Sequence, residues 1–435
     1  MMTSRIIEQF CPVQQLTFAP RQHHLTNSQV WSADSQWLAY DLRSSEQHFD
    51  SQTVERININ SLQQLVIYHA KQGAHVGVVT ASPALPQRYV FIHGPEQPTE
   101  QWQYSFHHRR GVMVDEQQHA MTLDACSLTA PYTLGALRGG SHVHMFSHDG
   151  SRLSFTYHDH VVWQNNPAED QRNVAVALPL GPVDPRRGHP REYAGSHYCV
   201  LISQTVAQAL PGSSQIERAY EEGWVGNHGY CRHQGQQQRW AIAFIGDTRG
   251  QAGQRISEVF IVDLPEALAA YQQAGHRPIE GTERQLPAPP AGIVQRRLTF
   301  TEHRRFPGLV TEPRHWLRSC ADGSVIAFLM KDQQGITQLW GISPNGGEPM
   351  PLSQLPFAVQ SAFTWHPWRR CLVFVADNSV MQLDIDQGVC YRLTAADPLS
   401  PPLPQAVVYA PDGNKVAYMR NIGGFQQLFV LNVSV

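Results

Sequence analysis

The sequence is poor in charged residues and has no long apolar run. Only 16% of its 435 residues are Asp, Glu, Lys or Arg, against roughly 25% in an ordinary globular chain. No stretch approaches the roughly 20 apolar residues of a membrane-spanning helix, and the N-terminus lacks the apolar core of a secretory signal. The net charge of −3 predicts no general basic surface for nucleic acid or anionic lipid. We therefore expect a cytoplasmic protein that binds neither nucleic acid nor membrane.

Several catalytic signatures are also missing. The seven cysteines are scattered and form no C-x-x-C pair, which predicts free thiols in a reducing compartment. There is no G-x-S-x-G elbow, no Walker loop and no H-E-x-x-H motif. These absences argue against an α/β-hydrolase, a P-loop enzyme and a zincin protease.

Turn residues are plentiful, with 32 glycines and 30 prolines, and a short hairpin pattern recurs. In each copy a turn, usually Asp-Gly, precedes a small apolar run that ends in an aromatic residue. Asp and Gly supply the turn geometry, and the alternating apolar residues cover one face of a sheet. The seven copies end at Tyr40, Phe91, Phe155, Phe244, Phe328, Phe374 and Tyr418.

Seven such hairpins predict an all-β chain folded as a single seven-bladed β-propeller, with a β-sandwich or two β domains as the alternative. The N-terminal segment 13–18 is expected to close the ring as the fourth strand of the last blade. Residues 205–238 and 263–292 are predicted insertions, each with a short helix, the first of them in "IERAYEEGW". The predicted blades are residues 20–68, 75–125, 142–180, 197–265, 315–352, 361–393 and 405–435.

Histidine recurs at the start of the predicted inner strands. Because inner strands line the channel of a propeller, and residues two apart on a strand share a face, these side chains are predicted to meet at the channel mouth. Imidazole nitrogens suit a divalent transition metal of the Mn or Zn type, which is the predicted cofactor. The alternative is that each histidine is a hydrogen-bonded strand end. The predicted metal ligands are His75, His142, His144, His197 and His315.

Loops at the same predicted rim are rich in histidine and arginine. Arginine binds carboxylates through two parallel hydrogen bonds, and a histidine can act as a general base. This combination predicts a metal-dependent enzyme acting on an anionic, uronate-containing oligosaccharide at the channel mouth, by β-elimination. The alternative is a non-enzymatic propeller that binds a protein partner or another small ligand. The predicted catalytic residues are His93, His108, Arg110, His158 and Arg138.

The hairpin template resembles the TolB-like propeller repeat over nearly the whole chain. The segments "FIHGPE", "FHHRRG", "RGGSHVH" and "YEEGWVGNH" further resemble the YidR-type family of enteric bacteria, whose members share this fold. The architecture and the H-x-H of His142 and His144 are also similar to those of oligogalacturonate lyases. That similarity implies a seven-bladed propeller with a Mn-type ion held by histidines and a glutamine, for which Gln405 is the counterpart considered.

Overall fold

The computed structural model describes residues 4–433, which form a seven-bladed β-propeller. The all-β prediction is confirmed. The helical elements in the described part are one α-helix, His160–Asn165, and two short 3₁₀ helices, Pro167–Glu169 and Leu268–Gln272. Within the same residues, no helix combines the length and the apolar character needed to cross a bilayer.

The first three blades follow each other along the chain as antiparallel sheets. The inner segment of blade 1, residues 24–31, is joined to its neighbour by isolated bridges at His24–Asp41 and Trp31–Leu38. The remaining strands of blade 1 are Trp37–Asp41, Thr53–Asn58 and Gln64–His69. Those of blade 2 are Val76–Ala81, Arg88–His93, Arg110–Asp115 and Ala120–Thr122. Those of blade 3 are Gly139–Phe146, Leu153–Asp159, Asn173–Leu178 and Tyr198–Leu201.

Blades 4 to 7 complete the ring, and a small hairpin, Tyr230–Cys231 with Gln237–Gln238, projects from blade 4. The strands of blade 4 are Arg218–Trp224, Trp240–Arg249, Arg255–Leu264 and Gln295–Arg297. Those of blade 5 are Arg318–Ser319, Ile326–Lys331, Thr337–Ile342 and Met350–Pro351. Those of blade 6 are Thr364–Trp365, Cys371–Ala376, Ser379–Asp384 and Val389–Arg392. Those of blade 7 are Val408–Tyr409, Lys415–Ile422 and Phe425–Asn432.

The N-terminal segment closes the ring, as predicted. Val13–Gln15 pairs antiparallel with Phe429 to Leu431 and becomes the fourth strand of blade 7. Upstream of it, Arg5–Glu8 runs parallel to Val389–Arg392 as a fifth strand of blade 6. The two ends of the chain are thus held in one sheet, and the first strand also ties that sheet to its neighbour.

The core lies between neighbouring blades. All seven aromatic residues that end the predicted hairpins are fully buried on the second strand of their blade. One cluster joins Leu16 and Val430 of blade 7 to Leu38 of blade 1. Each blade therefore buries its apolar faces against the two neighbouring blades, which makes the closed ring the cooperative unit.

The boundary between blades 3 and 4 differs from the prediction. Tyr198–Leu201 pairs with Asn173–Leu178 as the outer strand of blade 3, so it is wrong as the first strand of blade 4. The inner strand of blade 4 is instead Arg218–Trp224, inside the predicted insertion, where a short helix was expected. A β-bulge between Tyr220 and Gly223 interrupts the alternation of this strand, so its sequence does not show a two-residue period.

The second predicted insertion is also shorter and less exposed than expected. The third strand of blade 4 continues to Leu264, and only Leu268–Gln272 is helical, as one 3₁₀ turn. Tyr271 of this turn is fully buried, and its hydroxyl donates to the carbonyl of Pro265. The segment packs against blades 3 and 4 rather than standing free.

Replacing Leu16 should show how much the ring depends on its closure. Leu16→Ala is expected to lower the free energy of unfolding by about 2–5 kcal/mol, because it removes a buried side chain between blades 7 and 1. Chemical denaturation measures the change. Phe18→Ala is the matched control, since Phe18 is 67% exposed; equal losses in the two variants would contradict the proposed role of the closure.

Candidate functional site

A cavity of about 390 Å³ opens on the propeller axis. Its lining comes from blades 1 to 5 and from blade 7, so no single sheet forms it. We call it the axial cavity. Side chains central to its chemistry are Arg43, Tyr104, Arg109, His142, Arg172, Arg218, Glu221, Arg314, His315 and Gln405.

Positive charge dominates this lining. Five arginines face three glutamates, Glu46, Glu221 and Glu312. Arg314 Nε donates to Glu221 Oε1 at 2.8 Å, and Arg43 Nε donates to Asp41 Oδ1 at 3.0 Å. Among residues 4–433, no carboxylate lies within salt-bridge distance of the other three arginines of this lining.

Two of these guanidinium groups keep N–H donors without a partner. Arg109 is 1% exposed, and its Nη1 donates to the Tyr104 hydroxyl at 3.2 Å. Within the part of the chain that the structure describes, its Nε and Nη2 have no acceptor, and neither does Nε of Arg172. Burial lowers the pKa of Arg172 to about 9. Because a buried donor without a partner costs about 1–3 kcal/mol, this arrangement indicates a site that is completed by an anion.

His142 faces the same space with a free ring nitrogen. Its Nδ1 is buried and has no hydrogen-bond partner among the described residues. Burial, and then the charges of Arg109, Arg172 and Arg314, hold the pKa of His142 well below its usual value. The imidazole is therefore neutral, so one of its two ring nitrogens carries a lone pair.

The inner strands of blades 2, 3 and 4 share an unusual backbone at this rim. Each contains a β-bulge, and each bulge holds a non-glycine residue at positive φ: Val78 at 59°, Val143 at 53° and Glu221 at 52°. Such a conformation is strained for a β-branched residue, and strain of this kind concentrates at functional sites. Val78 and Glu221 line the cavity, and His142 precedes Val143.

The predicted histidine cluster is only partly assembled. His142 and His315 line the axial cavity. Both ring nitrogens of His315 are engaged, because Nδ1 donates to the Pro313 carbonyl at 3.0 Å and Nε2 accepts from the backbone N–H of Leu329 at 3.4 Å. The predicted glutamine, Gln405, also lines the cavity and leaves its buried Oε1 without a partner.

The placement predicted for His75 at the channel mouth is wrong. In blade 2, Gly77 pairs with the residue after Phe91, just as His142 pairs with the residue after Phe155 in blade 3. The true equivalent of His142 is therefore Gly77, two residues beyond His75. A Cβ atom at position 77 would lie 2.8 Å from Cδ of Arg43, which explains the glycine.

The prediction that His144 and His197 lie at the channel mouth is also wrong. The bulge after His142 breaks the two-residue alternation, so His144 is buried against Gly111 of blade 2. Its Nε2 lies 3.0 Å from Ser141 Oγ, and burial lowers its pKa to about 3. His197 immediately precedes the outer strand of blade 3, which lies at the opposite edge of that sheet from the inner strand. The five predicted ligands therefore do not form one site.

None of the five predicted catalytic residues lines the axial cavity. His93 is buried and hydrogen bonded to the Gly94 carbonyl at 2.6 Å, and Arg138 is buried in a salt bridge with Asp159 at 2.7 Å. His108 and Arg110 line a separate pocket of about 240 Å³ between the rims of blades 2 and 3. These residues do not reach the axial cavity because they lie at the ends of loops outside the ring of inner strands.

His158 belongs to a rim cluster that we define as His107, His108, His158, His160 and Asp170. His107 Nε2 lies 2.6 Å from Asp170 Oδ2, and His158 Nδ1 lies 3.8 Å from Asp170 Oδ1. His108 Nε2 lies 3.0 Å from His160 Nδ1. The ligand atoms of His107, His158 and Asp170 all lie within 4.8 Å of one another, and no other such group of three occurs among residues 4–433.

Sequence reasoning missed part of the cavity. Arg172 stands directly before an apolar strand, at the same end as the other rim residues, and this position was the available signal. Arg218 and Glu221 belong to the inner strand of blade 4. The charged residues give this strand a helix-like sequence, which is why the sequence predicts a short helix there.

Comparison with known proteins supports the fold and identifies relatives. An oligogalacturonate lyase in complex with manganese superposes with a TM-score of 0.58 at 11% identity, over 98% of this chain and 93% of that one. The oligogalacturonate lyase of Vibrio parahaemolyticus gives 0.51 at 12% identity, over 98% and 94%. The β-propeller domain of the Trilobed protease from Pyrococcus furiosus gives 0.51 at 10% identity, over 95% and 97%. At these identities the likeness is one of fold alone.

Sequence comparison is more specific. Residues 75–193 match the family described as "Protein of unknown function (DUF3748)". The protein named "Uncharacterized protein YidR" of Escherichia coli (strain K12) is 53% identical over 418 residues, which is 96% of this chain and 97% of that protein. With a shared sequence over nearly its full length and a seven-bladed propeller fold, the chain belongs to the YidR family.

Proposed function

We propose that the axial cavity binds a uronate-containing oligosaccharide and cleaves it by β-elimination, with His142 as the base. The observation that carries the proposal is the pair of arginines with unpartnered N–H groups, Arg109 and Arg172, beside a neutral imidazole. A planar carboxylate accepts two parallel hydrogen bonds from a guanidinium group. The manganese-bound oligogalacturonate lyase supports the proposal at the level of fold.

The chemistry follows from where the charges lie. A uronate carboxylate held by Arg109 and Arg172 makes the proton on the adjacent carbon more acidic, because the developing negative charge is stabilised. The neutral imidazole of His142 removes that proton. The electron pair forms a carbon–carbon double bond, the bond to the glycosidic oxygen at the next carbon breaks, and the departing oxygen takes a proton from water.

Substrate binding also strengthens the base. In the free protein burial, and after it the charges of three arginines, hold the pKa of His142 down. A bound carboxylate offsets those charges and favours the protonated imidazole, so the pKa of His142 rises on binding. The imidazole thus becomes a better proton acceptor only when a substrate is present.

The axial cavity does not fit the predicted metal ion. Of the five predicted ligands only His142 and His315 reach it, and His315 uses both ring nitrogens on the backbone. Glu221 is paired with Arg314, and five arginines disfavour a cation. We therefore derive the reaction from the chain's own side chains.

The second candidate function is binding without cleavage. It rests on the same unpartnered arginines, because an anion can complete their hydrogen bonds whether or not His142 transfers a proton. A cytoplasmic location and a protein partner stay predictions.

Removing a cavity arginine should weaken binding. Arg172→Gln or Arg109→Gln is expected to reduce affinity for an oligogalacturonate roughly 10- to 100-fold, because a charge-assisted hydrogen bond contributes about 1.5–3 kcal/mol. Isothermal titration calorimetry measures this. Arg187→Gln is the control, since that arginine lies on the surface in a pair with Asp184; a neutral oligoglucan is the control ligand. Unchanged oligogalacturonate affinity in both cavity variants would refute the anion site.

Replacing the proposed base should separate cleavage from binding. His142→Gln is expected to lower the rate of unsaturated-product formation at least about 100-fold, because general-base catalysis contributes about 10²–10⁴-fold. Ultraviolet absorbance of the new double bond follows the reaction, and affinity for the substrate is expected to stay within a few-fold. His119→Gln is the control, a histidine whose side chain is 76% exposed. Binding without any product in the wild-type protein would leave the non-enzymatic function.

A further inference from the structure

The rim cluster lies beside the axial cavity and contains two pairs of histidines. His108 and His160 hydrogen bond to each other, whereas His107 and His158 each lie next to Asp170. His107 and His108 precede the third strand of blade 2, and His158 and His160 lie where the second strand of blade 3 passes into the α-helix. Asp170 follows the 3₁₀ turn Pro167–Glu169. We propose that His107, His158 and Asp170 bind a divalent transition-metal ion, with Zn²⁺ preferred.

The distances suit such an ion. The ligands of a tetrahedral zinc ion lie at about 2.0–2.2 Å from the metal, and so about 3.3 Å from one another. The two nitrogen-to-carboxylate distances here, 2.6 and 3.8 Å, lie on either side of that value. Two imidazoles and one carboxylate leave a fourth position for water, which can reach the site because the His158 side chain is 19% exposed.

One ligand atom of the group has no other role. Nδ1 of His158 is buried and makes no hydrogen bond, since 3.8 Å to Asp170 is too long for one. A buried polar atom without a partner calls for an explanation such as an absent ion. The nearby pair does not share this feature, because His108 Nδ1 donates to the Gln103 carbonyl at 2.9 Å and His108 Nε2 accepts from His160.

The surroundings hold the three ligands in place. The His107 ring stacks on Trp163 at 4.6 Å, and the His158 ring stacks on Phe106 at 5.7 Å. Asp170 Oδ1 also accepts the backbone N–H of Asp159 at 3.1 Å, which fixes the carboxylate. Such outer contacts orient metal ligands in known sites. Burial raises the pKa of Asp170, but the hydrogen bond from His107 and the nearby His158 outweigh it and keep this pKa low, so the carboxylate is ionised.

An ion at this position would join two segments that matter for the axial cavity. His107 stands two residues before Arg109 in blade 2, and Asp170 stands two residues before Arg172 in blade 3. The metal would therefore hold together the segments that carry the two unpartnered arginines. This coupling rests on the proposed function, whereas metal binding itself does not.

Zinc titration of the full chain tests the site. After removal of metals with a chelator, calorimetry with Zn²⁺ is expected to show one saturable site, at least about tenfold tighter than for Mn²⁺. His107→Ala and His158→Ala are each expected to weaken Zn²⁺ binding by more than the roughly 10- to 100-fold that loss of an outer-shell partner costs. Asp170→Asn is the conservative third variant, since the amide oxygen still accepts from Asp159.

Two control variants separate this site from other histidines. His108→Ala removes a neighbour that we do not assign as a ligand, and His119→Ala removes an exposed histidine whose Nδ1 lies 3.1 Å from Asp115. Both should keep wild-type Zn²⁺ affinity. The assignment is overturned if no saturable Zn²⁺ site exists, if His107→Ala and His158→Ala bind normally, or if His108→Ala loses binding equally.

The coupling has its own readout. Zn²⁺-loaded wild-type protein is expected to bind oligogalacturonate about fivefold or more tightly than stripped protein, as for a typical allosteric coupling, and His107→Ala should show no difference. Equal affinity of loaded and stripped protein overturns the coupling and leaves the metal site standing. If neither form binds the saccharide while Zn²⁺ still binds, the proposed function fails and the metal site is unaffected.

Discussion

Packing between neighbouring blades is the constraint on which the remaining structure depends. Within residues 4–433 no sheet buries its apolar faces alone, because the aromatic residue on each second strand packs between that blade and the preceding one. The ring must close for the last blade to be covered, and the N-terminal strand closes it. Closure in turn places the start of every inner strand near one axis. Side chains far apart in sequence, such as Arg43 and Gln405, therefore line the same cavity.

Within that ring, local departures from regular β structure decide which side chains reach the axis. In blades 2, 3 and 4 a bulge in the inner strand changes the face on which the following side chains lie. In blade 3, His142 therefore lines the cavity, whereas His144 lies in the space between blades. The bulges interrupt the two-residue alternation of the strands and place Val78, Val143 and Glu221 in a strained backbone conformation with positive φ. The ring holds that strain because its packing fixes the strands on both sides.

Two polar sites at one end of the propeller, the axial cavity and the rim cluster, differ in the charge of their side chains. In the axial cavity, guanidinium groups exceed carboxylates, and burial leaves several N–H groups without partners. In the rim cluster one carboxylate lies among imidazoles, a donor set that suits a cation. Anion and cation therefore fit at adjacent but distinct places. Other buried ions, such as the pair Arg138 and Asp159, satisfy each other and hold the rim loops together.

The ring can be predicted from the order of residues along the chain. The seven hairpins and their aromatic ends predict the blades, because turn chemistry and strand alternation act over a few residues and are visible in the chain. It also indicated an end of the propeller rich in histidine and arginine. Which of these side chains meet depends on the folded strands. A bulge inserts one residue and changes the face of the residues that follow it, so His144 does not share the cavity face of His142. Pairing partners likewise assigned Tyr198–Leu201 to blade 3 and Arg218–Trp224 to blade 4, because strand pairing joins segments distant in sequence.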